Sequence, residues 1–139
     1  MQPQSALRRD RADQQLLTPT KPVVEDEQGS TAGRRIVCAT CGHPITTERE
    51  RIEVKGRHEH RCVNPGGVIF HIGCFQRAPG CIAQGVPTME FTWFPGFAWN
   101  YALCSGCSTS LGWTYQGVGV AHFVGLILNR LATEPERSH

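Results

Sequence analysis

Two Cys-x-x-Cys pairs, Cys38-Ala-Thr-Cys41 and Cys104-Ser-Gly-Cys107, carry the clearest chemistry in this chain. Together they supply the four soft ligands of a tetrahedral structural zinc site. Gly42 follows the first pair and Gly106 lies inside the second. Glycine lets the backbone turn tightly enough for its N–H groups to face the sulfurs, which offsets part of the charge of four thiolates on one Zn2+. Two disulfides or a redox dithiol are the competing uses of such pairs. The count of seven cysteines is odd, nothing points to export, and a thioredoxin-like dithiol needs a βαβ setting that the sequence lacks. Cys62, Cys74 and Cys81 show no ligand spacing and no adjacent base, so they read as small buried hydrophobes. His43, two residues past Cys41, reads as a surface turn residue beside a site already complete in thiolates.

All three tryptophans of the chain, Trp93, Trp99 and Trp113, flank the second cysteine pair. Clustered aromatics are either a site or core filler, and composition alone leaves both open. Alternation along a strand puts Leu111, Trp113 and Tyr115 on one face. A tight two-residue hairpin at Phe94-Pro95-Gly96-Phe97 would leave Trp93 and Trp99 on opposite faces, so convergence of the indoles requires a wide loop there. A box of indoles and a phenol suits a flat ring or a quaternary ammonium ion. Glu90 is the one carboxylate near it in sequence, which makes the ammonium the weaker option. Backbone N–H and C=O groups at Phe91 to Trp93 would match the alternating C=O and N–H of a cyclic imide.

The elements that must hold these residues come from the middle and end of the chain. Residues 1–33 are polar, charged and scattered with Pro and Gly, and read as a disordered tail. The folded domain is expected over 34–132, with a flexible segment over 133–139. Short apolar runs punctuated by Gly and Pro favour an antiparallel β architecture. Strands are expected at Ile52 to Val54, Val68 to Ile72, Met89 to Trp93, Tyr101 to Cys104, Leu111 to Tyr115 and Phe123 to Leu128, the last also being readable as a helix. The alternating charges from Glu48 to Arg61 suggest a solvated hairpin. A net charge of +2 argues against nucleic acid as the main partner, no apolar run suits a membrane span, and the N-terminus offers no apolar signal segment. A reducing cytoplasm is the expected compartment.

The run Trp93-Phe-Pro-Gly-Phe-Ala-Trp99, then Cys104-x-x-Cys107, then Leu111-Gly-Trp113-Thr-Tyr115, resembles the CULT domain, the thalidomide-binding domain family of cereblon. Cys38-x-x-Cys41, Asn64-Pro65 and the closing Phe123-x-Gly-Leu match as well, so the resemblance covers about residues 36–131. It implies a β-tent fold, two antiparallel sheets pinned by a four-cysteine zinc site of Cys38, Cys41, Cys104 and Cys107. It also implies an aromatic cage for the glutarimide ring, walled by Trp93, Trp99 and Trp113, with the ring of Tyr115 where many members have Phe. Asn64 and Pro65 would lie at the pocket mouth. Phe91 falls where animal members have a histidine that contacts the imide, leaving its carbonyl to accept the imide N–H. Gly66 replaces a larger rim residue. The resemblance is to stand-alone bacterial members, without the segment that docks a ubiquitin-ligase adaptor. Its implied ligands are cyclic imides, uracil-like rings, or protein C-termini ending in a cyclised Asn or Gln. The function expected is therefore a non-enzymatic binding module with structural Zn2+. The enzyme alternative is a β-tent oxidoreductase of methionine sulfoxide reductase B type, which needs a reactive cysteine near the C-terminus, whereas no cysteine follows Cys107.

Overall fold

β-branched and aromatic runs, each too short for a helix and each ended by Gly, Pro or polar residues, make strands. The computed structural model describes residues 33–119 and 121–135. Residues 1–32 of the expected tail and 136–139 of the expected C-terminal segment lie outside the described residues. The strands are β1 Arg35–Cys38, β2 Pro44–Thr47, β3 Glu59–Val63, β4 Ile69–Phe75, β5 Cys81–Thr88, β6 Phe97–Cys104, β7 Ser110–Gly117, β8 Phe123–Ile127 and β9 Leu131–Thr133. They form a three-stranded sheet, β9-β1-β2, and a six-stranded sheet, β3-β4-β8-β7-β6-β5, and every pairing is antiparallel. The mainly β, two-sheet architecture expected from the sequence is what the chain adopts.

Strand alternation sorts the apolar residues into two clusters. Consecutive residues Cys74 and Phe75 on β4, and Leu126 and Ile127 on β8, fall into different clusters, as a two-residue period demands. One cluster gathers Ile36, Cys38 and Ile45 of the small sheet with Phe75, Cys104, Leu111 and Leu126 of the large one. The other gathers Ile52, Ile72, Cys74, Phe94, Tyr115, Phe123 and Ile127, and the tryptophans pack against it.

Several elements differ from expectation, each for a local reason. Met89 to Trp93 is loop, not strand. The Thr88 hydroxyl accepts the Glu90 N–H at 3.0 Å and the Thr92 hydroxyl donates to the Phe97 carbonyl at 2.9 Å, so side chains take over bonds a ladder would have made. Ile52 to Val54 is not a strand either, and the charged Glu48 to Arg61 stretch is no continuous hairpin. It holds a 3-10 turn at Glu48–Glu50 and single bridges at Arg51 with Phe75 and at Val54 with Arg57. His58 Nδ1 donates to the Ile52 carbonyl at 3.1 Å and His60 Nε2 to the Val54 carbonyl at 3.0 Å, replacing ladder bonds. Phe123 to Ile127 is a strand and not a helix, being paired on both sides by β4 and β7. Leu111 does not share the face of Trp113 and Tyr115. The register shifts between Ala102 and Leu103 and makes Leu111 the extra residue of a bulge, which turns it into the inter-sheet cluster. At the C-terminal end, β9 pairs with β1 through Thr133, and Glu134 carboxylate oxygens accept bonds from the Arg35 guanidinium at 2.9 Å.

Beside that bulge, β7 and β8 come unusually close: a Cβ on Gly112 would stand 2.0 Å from the Gly125 carbonyl oxygen. Gly112→Ala should therefore cost about 2–3 kcal/mol of stability, or abolish folding, in a urea titration. Acid should also weaken the fold. Burial holds the His58 imidazole below its ordinary pKa of 6.5. Between the folded and unfolded pKa values the unfolded chain binds the extra proton, so the neutral ring's contribution is complete above about 6.5 and is lost as pH falls below it. Melting curves from pH 8 to pH 5 should show this loss, and His58→Gln, which retains a donor for Ile52, should show less of it.

Candidate functional site

The two cysteine pairs sit on turns of the same design. In the first, the Cys38 N–H donates to the His43 carbonyl at 2.9 Å and the Gly42 N–H to the Cys38 carbonyl at 2.8 Å. In the second, the Cys104 N–H donates to the Thr109 carbonyl and the Ser108 N–H to the Cys104 carbonyl, both at 2.8 Å. The fifth residue of each turn is left-handed, Gly42 at φ 80° and Ser108 at φ 70°. The expectation that both glycines face sulfur holds only for Gly106, whose N–H donates to Cys104 Sγ at 3.3 Å. Gly42 instead uses its N–H to close the turn.

These turns bring all four Sγ atoms within 4.8 Å of one another. The Cys38–Cys107 pair is 3.8 Å apart and the Cys41–Cys104 pair 3.6 Å. A tetrahedron with metal–sulfur bonds of about 2.3 Å has edges of about 3.8 Å, whereas a disulfide would need about 2.05 Å. The cluster therefore fits a four-thiolate metal site and does not fit two disulfides. The Thr109 hydroxyl, 3.0 Å from Cys107 Sγ, and then the Thr109 backbone N–H hold that thiol below its ordinary pKa, the direction that metal ligation requires. His43, half-buried, lies with Nε2 2.9 Å from Ser105 Oγ and ties one turn to the other. By contrast, burial pushes the Cys74 and Cys81 thiols up to about 12 and raises Cys62 too, the opposite of what a nucleophile needs.

The aromatic residues meet on the other side of the six-stranded sheet. Across β6 and β7, Trp99 faces Tyr115 and Tyr101 faces Trp113, so four rings share one face. Phe70 of β4 reaches the group from the far side of β8, its ring 5.3 Å from that of Trp113. Trp93 arrives from the loop between β5 and β6 and meets Trp113 edge to face at 4.9 Å. That loop is wide, as convergence required. Its Pro95-Gly96 corner is a turn closed by the Phe97 N–H to the Phe94 carbonyl, with Gly96 at φ 94°, and it lies after Trp93 at the entry to β6 and is not a two-residue hairpin loop.

These rings enclose a cavity of about 270 Å³, and every ligand-contact position expected from the sequence lines it: Asn64, Pro65, Phe91, Trp93, Trp99, Trp113 and Tyr115. Phe70 and Tyr101 line it as well. Tyr101 was legible, since it lies two residues from Trp99 on the same face of a strand. Phe70 gave no local sign, because β4 joins the site through β8. Glu90 is absent from the lining, which leaves the cavity without a carboxylate for an ammonium ligand. The indoles are fixed by their N–H groups, Trp93 donating to the Val63 carbonyl at 2.9 Å and Trp99 to the Glu90 carbonyl at 2.8 Å. Asn64 folds back, its Oδ1 accepting the Val68 N–H at 2.9 Å, and so shapes the β3–β4 turn that carries Pro65.

Comparison with known proteins finds similarity over part of the chain. Over 56 residues, 40% of this chain, the sequence is 38% identical to cereblon of Xenopus tropicalis, and over 56 residues it is 36% identical to cereblon of Danio rerio. Cereblon of Drosophila willistoni is 47% identical over 35 residues, 25% of this chain. The chain carries a CULT-like domain. No protein-family model matches it. The matched segments cover 12%, 13% and 6% of those three relatives, so the similarity is to a small part of each.

Within the CULT-like domain the loop that carries Phe91 and Trp93 is positioned by a buried amide. Asn100, on the opposite face of β6, donates from Nδ2 to the Gly85 carbonyl at 3.0 Å and accepts the Thr114 hydroxyl on Oδ1. Gly85 begins the bulge that separates the Gln84–Tyr101 pair from the Thr88–Trp99 pair, so Asn100 holds β5 where its end can launch the loop. The cysteine cluster bears on the fold more directly, because it brings together residues from both sheets. Chelation of the metal, or Cys104→Ser, should unfold the domain and not merely loosen it. Circular dichroism is the check: a native spectrum without metal would remove the structural role of the four cysteines.

Proposed function

We propose that this domain is a non-enzymatic binding module whose aromatic box takes up small cyclic imides, with Zn2+ as the structural metal at Cys38, Cys41, Cys104 and Cys107. The observation that carries this reading is the single cavity lined by all three tryptophans. Its volume of about 270 Å³ is at the small end of ligand pockets, the scale of one ring and not of a drug-sized molecule. Flat apolar walls on several sides suit the faces and C–H edges of such a ring.

Polar groups for the imide come from the loop. Among the described residues, neither the Phe91 carbonyl nor the Trp93 N–H is bonded within the protein, while Thr92 between them commits both its amide and its hydroxyl to the loop itself. An acceptor and a donor two residues apart match the N–H and C=O of an imide. The same chemistry is presented by a protein C-terminus that ends in a cyclised Asn or Gln, which makes such a chain end a second form of the ligand. The inert thiols support binding over catalysis, since Cys62, Cys74 and Cys81 are all shifted away from reactivity. A reducing compartment such as the cytoplasm suits a site of four thiolates. No helix among the described residues is long and apolar enough to cross a membrane.

Titration with glutarimide, followed by tryptophan fluorescence, tests ligand class and site together. Trp99→Ala or Trp113→Ala should weaken binding by roughly 2 kcal/mol or more, as removal of an aromatic anchor from a desolvated pocket does. Phe91→Ala should do less, because its part is assigned to the backbone. N-methylglutarimide is the control. It lacks the donor for the Phe91 carbonyl, and equal affinity for the two compounds would mean that the imide is not being read.

A further inference from the structure

Of the residues that line the aromatic box, only Phe70 also lines a second cavity, a space of about 400 Å³ between β3, β4 and the turn after β8. The reason is a gap in the sheet. β8 accompanies β4 from Phe75 only as far as Ile72, which pairs with Ile127. The chain then leaves in the 3-10 turn Leu128–Arg130, so β8 does not flank Phe70. On the side of the box the Phe70 ring meets Trp113 at 5.3 Å and Trp93 at 6.1 Å. In the gap it is backed by Arg130.

Arg130 lines the second cavity and not the box, and its guanidinium carbon stands 6.0 Å from the centre of the Phe70 ring. Its Nη1 donates to the Ser110 carbonyl at 2.7 Å, which ties the side chain to the start of β7, the strand that carries Trp113. Among the described residues no carboxylate forms an ion pair with Arg130, Glu59 of the same cavity included, so its charge is left to the ring. A planar cation fixed at one end and laid against an aromatic ring holds that ring back from the open space behind it. We infer that Arg130 is a positioning residue for the box: it keeps Phe70 closed against Trp93 and Trp113 and so limits the box to ligands of a single ring. The inference rests on the proposed binding of cyclic imides. Without Arg130 the Phe70 ring has the second cavity to move into, and the box can lengthen toward β4 to admit a fused ring.

Glutarimide and homophthalimide form the probe pair, because both carry a six-membered imide ring and only the second has a benzene ring fused to it. Titration calorimetry of the wild-type domain should give glutarimide the higher affinity, by about ten-fold or more, since a fused ring must displace a packed wall. Arg130→Met keeps the apolar stem and loses both the charge and the bond to Ser110. It should narrow that ratio by about two- to five-fold, the equivalent of one cation–π contact. Phe70→Ala should narrow it further, and Arg130→Met added to Phe70→Ala should change it no more, because Arg130 acts through the ring. A ratio that Arg130→Met leaves unchanged overturns the inference, even if both affinities fall, for that is the mark of a merely structural role. An Arg130→Met effect that persists undiminished without Phe70 overturns it as well. So does a wild-type domain that binds the two compounds equally, since Phe70 then sets no limit. If Arg130→Met does not fold, Arg130→Lys, which lacks the fork that reaches Ser110 and the ring together, should narrow the same ratio and is read in the same way. If neither compound binds the wild-type domain, the imide reading falls first and this one with it.

Discussion

The four-thiolate cluster is the constraint on which the other contacts depend. Cys38 and Cys104 are members of the apolar cluster between the sheets, so the ligands are embedded in the core and not appended to it. A domain of this size buries too little surface to be robust on apolar contacts alone. A metal held by the four cysteines would join β1 of one sheet to β6 of the other and so fix how the two sheets meet. The repeated turn geometry is the local device that makes this possible, since each places two sulfurs on one side of a short hairpin.

From that anchor, β6 acts as a rigid connection to the aromatic box. It runs from Cys104 at the metal end to Phe97 at the other, passing Tyr101 and Trp99 on the way. At about 3.3 Å per residue, Trp99 stands roughly 17 Å from the cysteine. The cysteine cluster and the aromatic box are thus separate in space and continuous in backbone. Asn100 on the opposite face adds a second tie, so the strand that presents the box is held from its metal end and from its back.

Much of this was legible in the sequence, and the gaps have physical causes. The Cys-x-x-Cys spacing specifies its own geometry, and alternation along β7 placed Trp113 beside Tyr115. Alternation failed at Leu111, because a bulge adds a residue that no pattern of apolar positions records. β5 was missed since Gly85 and Pro87 read as loop, yet at a sheet edge a bulge tolerates both. β3 was missed because Glu59, His60 and Arg61 look solvated, although His60 and Cys62 face inward against the aromatic cluster. Phe70 was beyond reach for a different reason. Its place in the box depends on the order β3-β4-β8-β7, and long-range strand order leaves no mark within a single strand.

The loop from Met89 to Gly96 shows how the domain holds an irregular segment in one shape. Phe91 adopts φ 58°, a region costly for an aromatic residue, and the residue is 68% exposed, so packing is not what enforces it. Hydrogen bonds on either side enforce it instead. The Thr88 hydroxyl takes the Glu90 N–H, the Thr92 N–H reaches the Met89 carbonyl, and the Trp99 indole holds the Glu90 carbonyl. With Glu90 and Thr92 both fixed, the residue between them has little choice of backbone angle. Trp99 is therefore both a wall of the box and a clamp on the loop that closes it, and strain at Phe91 is offset by bonds made within the same structure. A loop held in this way keeps its backbone groups in one arrangement, the preorganisation that the proposed imide binding calls for.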